Sequence, residues 1–173
     1  MTLHKTNEIN ESDPLRVMSR AAARLRLNNL PDAVLQCARQ RVLDTIGCLV
    51  AGYETEIRFG RAIHPHAFYK GWSTIGLLGA IGPAVTAAHL LGADETRMAN
   101  TIGTVMSLLP AFTGRVSQGG SVKWLVGGHA CTTGLFAADM AVREAKDNPE
   151  ALNIWLPVIA EKNHPERLRD PQV

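Results

Sequence analysis

The chain has 173 residues, 46% of hydrophobic type, 20% charged and 5% aromatic, which is the make-up of a globular protein and excludes disordered and fibrous classes. Eighteen Lys and Arg against 16 Asp and Glu leave a formal charge of +2, too little to form the basic field that nucleic acid requires. Three cysteines, Cys37, Cys48 and Cys131, form no CxxC and no paired framework, so neither a zinc site nor a disulfide scaffold is expected and a reducing, cytoplasmic setting fits them.

Residues 1–11 are polar and read as a flexible N-terminus without the apolar stretch of a signal peptide. Ser12, Asp13 and Pro14 open a helix expected to reach about Leu27. Asn28 and Asn29 break it, and Pro31 opens the next, in which Val34, Ala38, Val42, Thr45 and Leu49 recur at helical spacing. The helical pattern continues from Gly52 to Arg61 and is ended by His64, Pro65 and His66; Gly71 to Ser73 form a turn, with Ser73 capping a helix to Leu91. Gly92 stops that helix and Asp94 caps another that ends near Pro110. Residues 111–121, with Gly114, Gly119 and Gly120, read as a flexible loop, residues 122–146 as a small-residue helix, and Asn148 with Pro149 opens a last short helix. No alternating strand pattern occurs, so the expected class is all-α, a helical bundle.

Charge and glycine locate the interior. Sixteen charged residues lie in 1–61, seven in 62–141 and 11 in 142–173, while all 15 glycines fall between Gly47 and Gly134. Helices packed closely on helices account for both. The apolar stretch 76–93 has the length of a membrane span, but Pro83, Thr86, His89 and four glycines make it a central bundle helix instead.

The chemistry-bearing residues are sparse. His64 and His66 lack a further converging ligand, so no metal is expected there, and His89, on the apolar helix, reads as a hydrogen-bonded core histidine. His129 follows Gly127 and Gly128 and could face a cavity. Lys123 stands alone between Arg115 and Asp139 among glycines, a setting in which a lysine at a helix start can hold an anion or simply be solvated. No GxxxxGK[ST], GxGxxG or GxSxG occurs, which leaves nucleotide binding and serine-triad chemistry without support.

Four stretches in order carry a resemblance. They are Leu30-Pro31 with Arg41-Val42-Leu43-Asp44-Thr45-Ile46-Gly47 and Ala51-Gly52; then Gly52-Tyr53-Glu54 with Arg58; then Tyr69-Lys70-Gly71-Trp72 with Gly79-Ala80-Ile81-Gly82-Pro83-Ala84 and Ala87-Ala88-His89-Leu90-Leu91-Gly92; and finally Lys123 with Gly128, Ala130 and Gly134. Together, over about residues 30–141, they resemble the MmgE/PrpD family of cofactor-independent lyases and isomerases, which includes 2-methylcitrate dehydratase, cis-aconitate decarboxylase and iminodisuccinate epimerase.

The resemblance implies a helical domain over residues 12–146, a small di- or tricarboxylate substrate, no metal or other cofactor, and a homodimer or a partner chain; the charge balance and the make-up of 76–93 leave neither nucleic acid nor membrane as an expected partner. It implies a carboxylate-binding role for Lys123 and places Ser73 and Trp72 at substrate-binding positions, with Tyr69 beside them. Core packing is the stronger expectation for the two aromatics, and a mutual ion pair for Glu54 and Arg58. No residue is matched to the catalytic proton transfer, because Ser73 stands where the family pattern has histidine and Val126 where many members have another.

Val50-Ala51-Gly52 joins two motifs that a longer segment separates in the family, so an internal deletion is expected near 50–52. Residues 147–173 read as a divergent C-terminal helix and tail, and the expectation is a helical domain without the family's α+β lid. The alternative reading is a non-catalytic helical dimerisation or interaction remnant.

Overall fold

The computed structural model describes residues 13–26, 28, 30–109, 120–121 and 123–169. Residues 1–11 and nearly all of the loop expected at 111–121 lie outside the described residues. Those that are described form helices and turns with no strand, the all-α class expected from the absence of period-two alternation. The chain divides into two compact units, Met1–Val42 and Leu43–Val173.

In the first unit, α1 spans Pro14–Arg24. Asp13 Oδ1 accepts from the Leu15 N–H at 2.9 Å, and Pro14 occupies the first helical position, where its missing N–H costs nothing. α1 ends before the expected Leu27 and buries none of its residues. α2, Asp32–Ile63, begins just after Pro31.

In the second unit α2 continues without a break through Val50-Ala51-Gly52, so the two motifs joined there share one helix. The apolar residues spaced along α2 do not all face a core. Leu43, Ile46, Leu49 and Val50 are exposed, and burial begins at Gly52 and resumes at Phe59, Ala62 and Ile63.

After the short helix α3, His66–Tyr69, the single helix expected from Ser73 to Leu91 is two: α4, Thr74–Leu78, and α5, Ile81–Leu90. Pro83 explains the break. It has no N–H for the Gly79 carbonyl and its ring would press on that group in a continuous helix, whereas in the first turn of α5 it is tolerated. Gly92, at φ +73°, ends the segment, and Asp94 Oδ1 accepts from Arg97 N–H at 2.8 Å to start α6, Glu95–Leu108, both as expected. α7 spans Lys123–Val142 and α8 spans Ala151–Ile159, followed by α9, Glu166–Arg169, which the sequence reading lacks.

The core sits where charge is sparse. Phe59, Ile81, Ala84, Val105, Met106 and Ala137 form one cluster; Ile63, Leu77, Leu156 and Ile159 belong to a second. α5, α6 and α7 pack mutually, with α4 on α7 and α8 on α6. Gly134 lets α7 touch α5, since a Cβ there would lie 2.3 Å from the Ala80 carbonyl oxygen.

The C-terminal segment folds back on this bundle. Trp155 meets Phe59 edge to face, with centroids 6.0 Å apart. Hydrogen bonds continue the contact: His164 N–H donates to the Ala62 carbonyl at 2.8 Å, Arg167 Nη1 to that of Arg61 at 3.0 Å, Arg58 Nη1 to that of Leu168 at 3.2 Å, and Lys70 Nζ to that of Val158 at 2.7 Å. Two of these acceptors belong to the last turn of α2, where carbonyls lack partners within the helix.

Candidate functional site

Lys123 is the first residue of α7 and is exposed. Its backbone N–H reaches the Gly120 carbonyl at 3.4 Å, and that of Trp124 reaches Ser121 at 3.2 Å. Among the described residues, the Lys123 ammonium makes no hydrogen bond or ion pair. Trp124 beside it is 82% exposed, so the start of α7 sets a cation without a partner among the described residues next to an exposed aromatic ring.

Ser73 is half-buried and caps α4, its Oγ accepting from Gly76 N–H at 3.2 Å. The oxygen lone pair is thus engaged by the backbone, while the hydroxyl proton remains available to donate. Ser73→Ala is expected to lower stability by about 1 kcal/mol, read from urea unfolding, because the cap of a one-turn helix is lost.

Trp72 packs against the second core cluster, as core packing predicts, and its Nε1 is buried with no partner among the described residues. Tyr69 departs from that expectation: it is 72% exposed. Ser73 and Trp72 adjoin at the start of α4, and α4 packs on α7, but no hydrogen bond among the described residues links either to Lys123.

The remaining candidates are structural or solvated. Glu54 and Arg58 pair as expected, Arg58 Nε donating to Glu54 Oε1 at 3.0 Å. His89, expected in the core, lies instead on the exposed side of α5 near its end. His129 is exposed on α7, and exposed His64 stacks on Phe68 with centroids 6.2 Å apart. Among the described residues no three His, Cys, Asp or Glu groups converge to hold a metal ion. No helix of the described residues is long and apolar enough to cross a membrane.

Among the described residues, two grooves of the second unit can be outlined, and Lys123, Ser73 and Trp72 are not among their described lining. One, of about 510 Å³, lies between α6 and residues 147–152 and includes Glu95, Asn100, Met106 and Asp147. The other, of about 360 Å³, lies between α2, α5 and α7 and contains Glu56.

Glu56 was not singled out from sequence, where Glu54 two residues earlier drew attention to the Arg58 pair. The signal lay in the helical period. Leu49, Tyr53 and Glu56 follow one another at spacings of four and three, which sets an acid on an otherwise apolar stripe. Burial pushes its carboxyl above the ordinary carboxylate pKa.

The MmgE/PrpD N-terminal domain profile matches residues 49–153. The match begins inside α2, just ahead of Val50-Ala51-Gly52, and ends within α8, so the 30–48 stretch and the returning C-terminal segment beyond 153 lie outside it. No curated protein matches the chain. With more than half of the chain covered, and an all-helical structure over the matched residues that are described, the chain belongs to the MmgE/PrpD family.

Proposed function

We propose that the chain binds a small di- or tricarboxylate at the start of α7 and takes part in lyase or isomerase chemistry next to a carboxylate. The observation that carries this reading is the exposed Lys123 ammonium without a partner among the described residues, at the start of a 20-residue helix. A lysine is a compact cation, and at a helix N-terminus its charge adds to the positive end of the dipole. Loss of a proton or CO₂ next to a carboxylate builds negative charge on that group, which a nearby ammonium stabilises. Ser73 can donate a hydrogen bond to such a substrate and Trp72 can wall it, and the proton released passes to solvent water or to a base supplied by a second chain, since none of the residues carried over is a base. The free thiols of Cys37, Cys48 and Cys131 fit the cytoplasm, where we place the chain.

Purified chain assayed against 2-methylcitrate, citrate, cis-aconitate and iminodisuccinate tests this reading. Turnover of one of them is expected, with kcat/KM falling at least about tenfold in Lys123→Ala, the effect of removing one charge-assisted contact.

A second reading, a non-catalytic dimerisation or interaction module, is favoured by the exposed apolar face of α2 at Leu43, Ile46 and Val50. A stable homodimer in sedimentation analysis, with no turnover of the four acids, would select it over the enzyme.

A further inference from the structure

The geometry points to the groove between α2, α5 and α7 as a binding site for a small organic cation with an apolar body, an alkylammonium or amidinium, held by Glu56. This site goes beyond the proposed function and shares no residue with the carboxylate reading.

The groove encloses about 360 Å³, within the range of small-molecule sites. Leu49, Pro83, Ala87, Leu90 and Leu135 make its lining predominantly apolar. Among the described residues of that lining Glu56 is the one acid, and none is Lys, Arg or His. An anion would therefore meet a negative wall without a counter-charge. A metal ion would find one carboxylate where hard cations take several oxygen ligands. An organic cation needs only that one carboxylate, and it covers the apolar walls with its body.

The carboxylate is open to such a ligand. A Cβ at Gly82 would lie 2.6 Å from Glu56 Oε2, so the glycine makes the room in which the carboxylate lies against α5. Thr86, also on the lining, does not satisfy it, because its hydroxyl donates to the Cys48 carbonyl at 3.3 Å. Glu56 has no hydrogen bond or ion pair among the described residues, and burial raises its pKa. A carboxylate partly withdrawn from water without a partner is costly to ionise, and a bound ammonium removes that cost.

The test is a backbone-amide NMR titration of the full chain at pH 8 with n-hexylammonium chloride, and with n-hexanol as the neutral comparison. Saturable shifts at Tyr53, Glu56, Leu90 and Leu135 are expected with the ammonium. Glu56→Gln is expected to weaken the ammonium by about tenfold or more and leave hexanol unchanged. Should Glu56→Gln fail to fold, Cys131→Trp at an exposed groove position provides the second variant, and filling the groove is expected to abolish the shifts. Equal affinity for hexanol and hexylammonium, or full ammonium affinity in either folded variant, would overturn the assignment. So would shifts that emerge only on dilution, since a second copy would then be the groove's occupant.

Discussion

Gly134→Leu is expected to destabilise the chain by at least about 3 kcal/mol or to prevent folding, in denaturant or thermal unfolding. A Cβ at this position would lie 2.3 Å from the Ala80 carbonyl oxygen, 2.9 Å from the Ala84 nitrogen and 3.1 Å from the Pro83 Cβ. Two of these are backbone atoms at the start of α5, which cannot swing aside as the end of a long side chain can. The same helix supplies its own control. At Gly127 a Cβ would meet nothing within 4 Å among the described residues, so Gly127→Ala is expected to stabilise α7 by roughly 0.5–1 kcal/mol through helix propensity alone. Opposite signs from two glycine substitutions seven positions apart in one helix would separate close packing from backbone entropy.

Trp155→Ala is expected to cost about 3 kcal/mol, the lower part of the range for removing a large aromatic, because Trp155 is half-buried. Its ring packs against both main core clusters and meets Phe59 edge to face. The consequence extends to the end of α2. His164 and Arg167 supply donors to the Ala62 and Arg61 carbonyls, and loosening α8 weakens the segment that carries those donors. Hydrogen exchange should therefore accelerate at the His164 amide in the variant, together with the drop in unfolding free energy.

Local chemistry was legible in the sequence where one residue type settles the backbone. Pro31 and Asp94 start helices and Gly92 stops one because each acts within a single turn. The break at residues 79–80 was harder to read, since apolar character runs through it and only the missing N–H of Pro83, three residues into α5, marks it. Helical spacing identified α2 but not what covers it: periodicity reports a shared face, and Val42 and Leu49 show that a shared face can be exposed. His89 differs from its expected core position for a related reason. Its neighbours Ala87 and Ala88 are buried, but the turn of α5 directs His89 the other way.

At the candidate site, Lys123 stood out because charge is scarce around it, and Ser73 was recognisable as a helix cap. For Glu56 the helical period with Leu49 and Tyr53 marks an acid on an apolar stripe, but the approach of α5 at Gly82, 26 positions along the chain, is a tertiary feature.

The proposed carboxylate site is tested most directly by a thermal-shift titration with citrate on the wild-type chain and on Lys123→Ala. A ligand that binds only the folded state raises its stability by RT ln(1 + [L]/Kd), about 2.7 kcal/mol at a hundredfold excess over Kd. The wild-type melting temperature is expected to rise with citrate concentration and that of Lys123→Ala to stay level. A level curve for the folded wild type, or an equal rise in both proteins, would contradict a carboxylate site at Lys123.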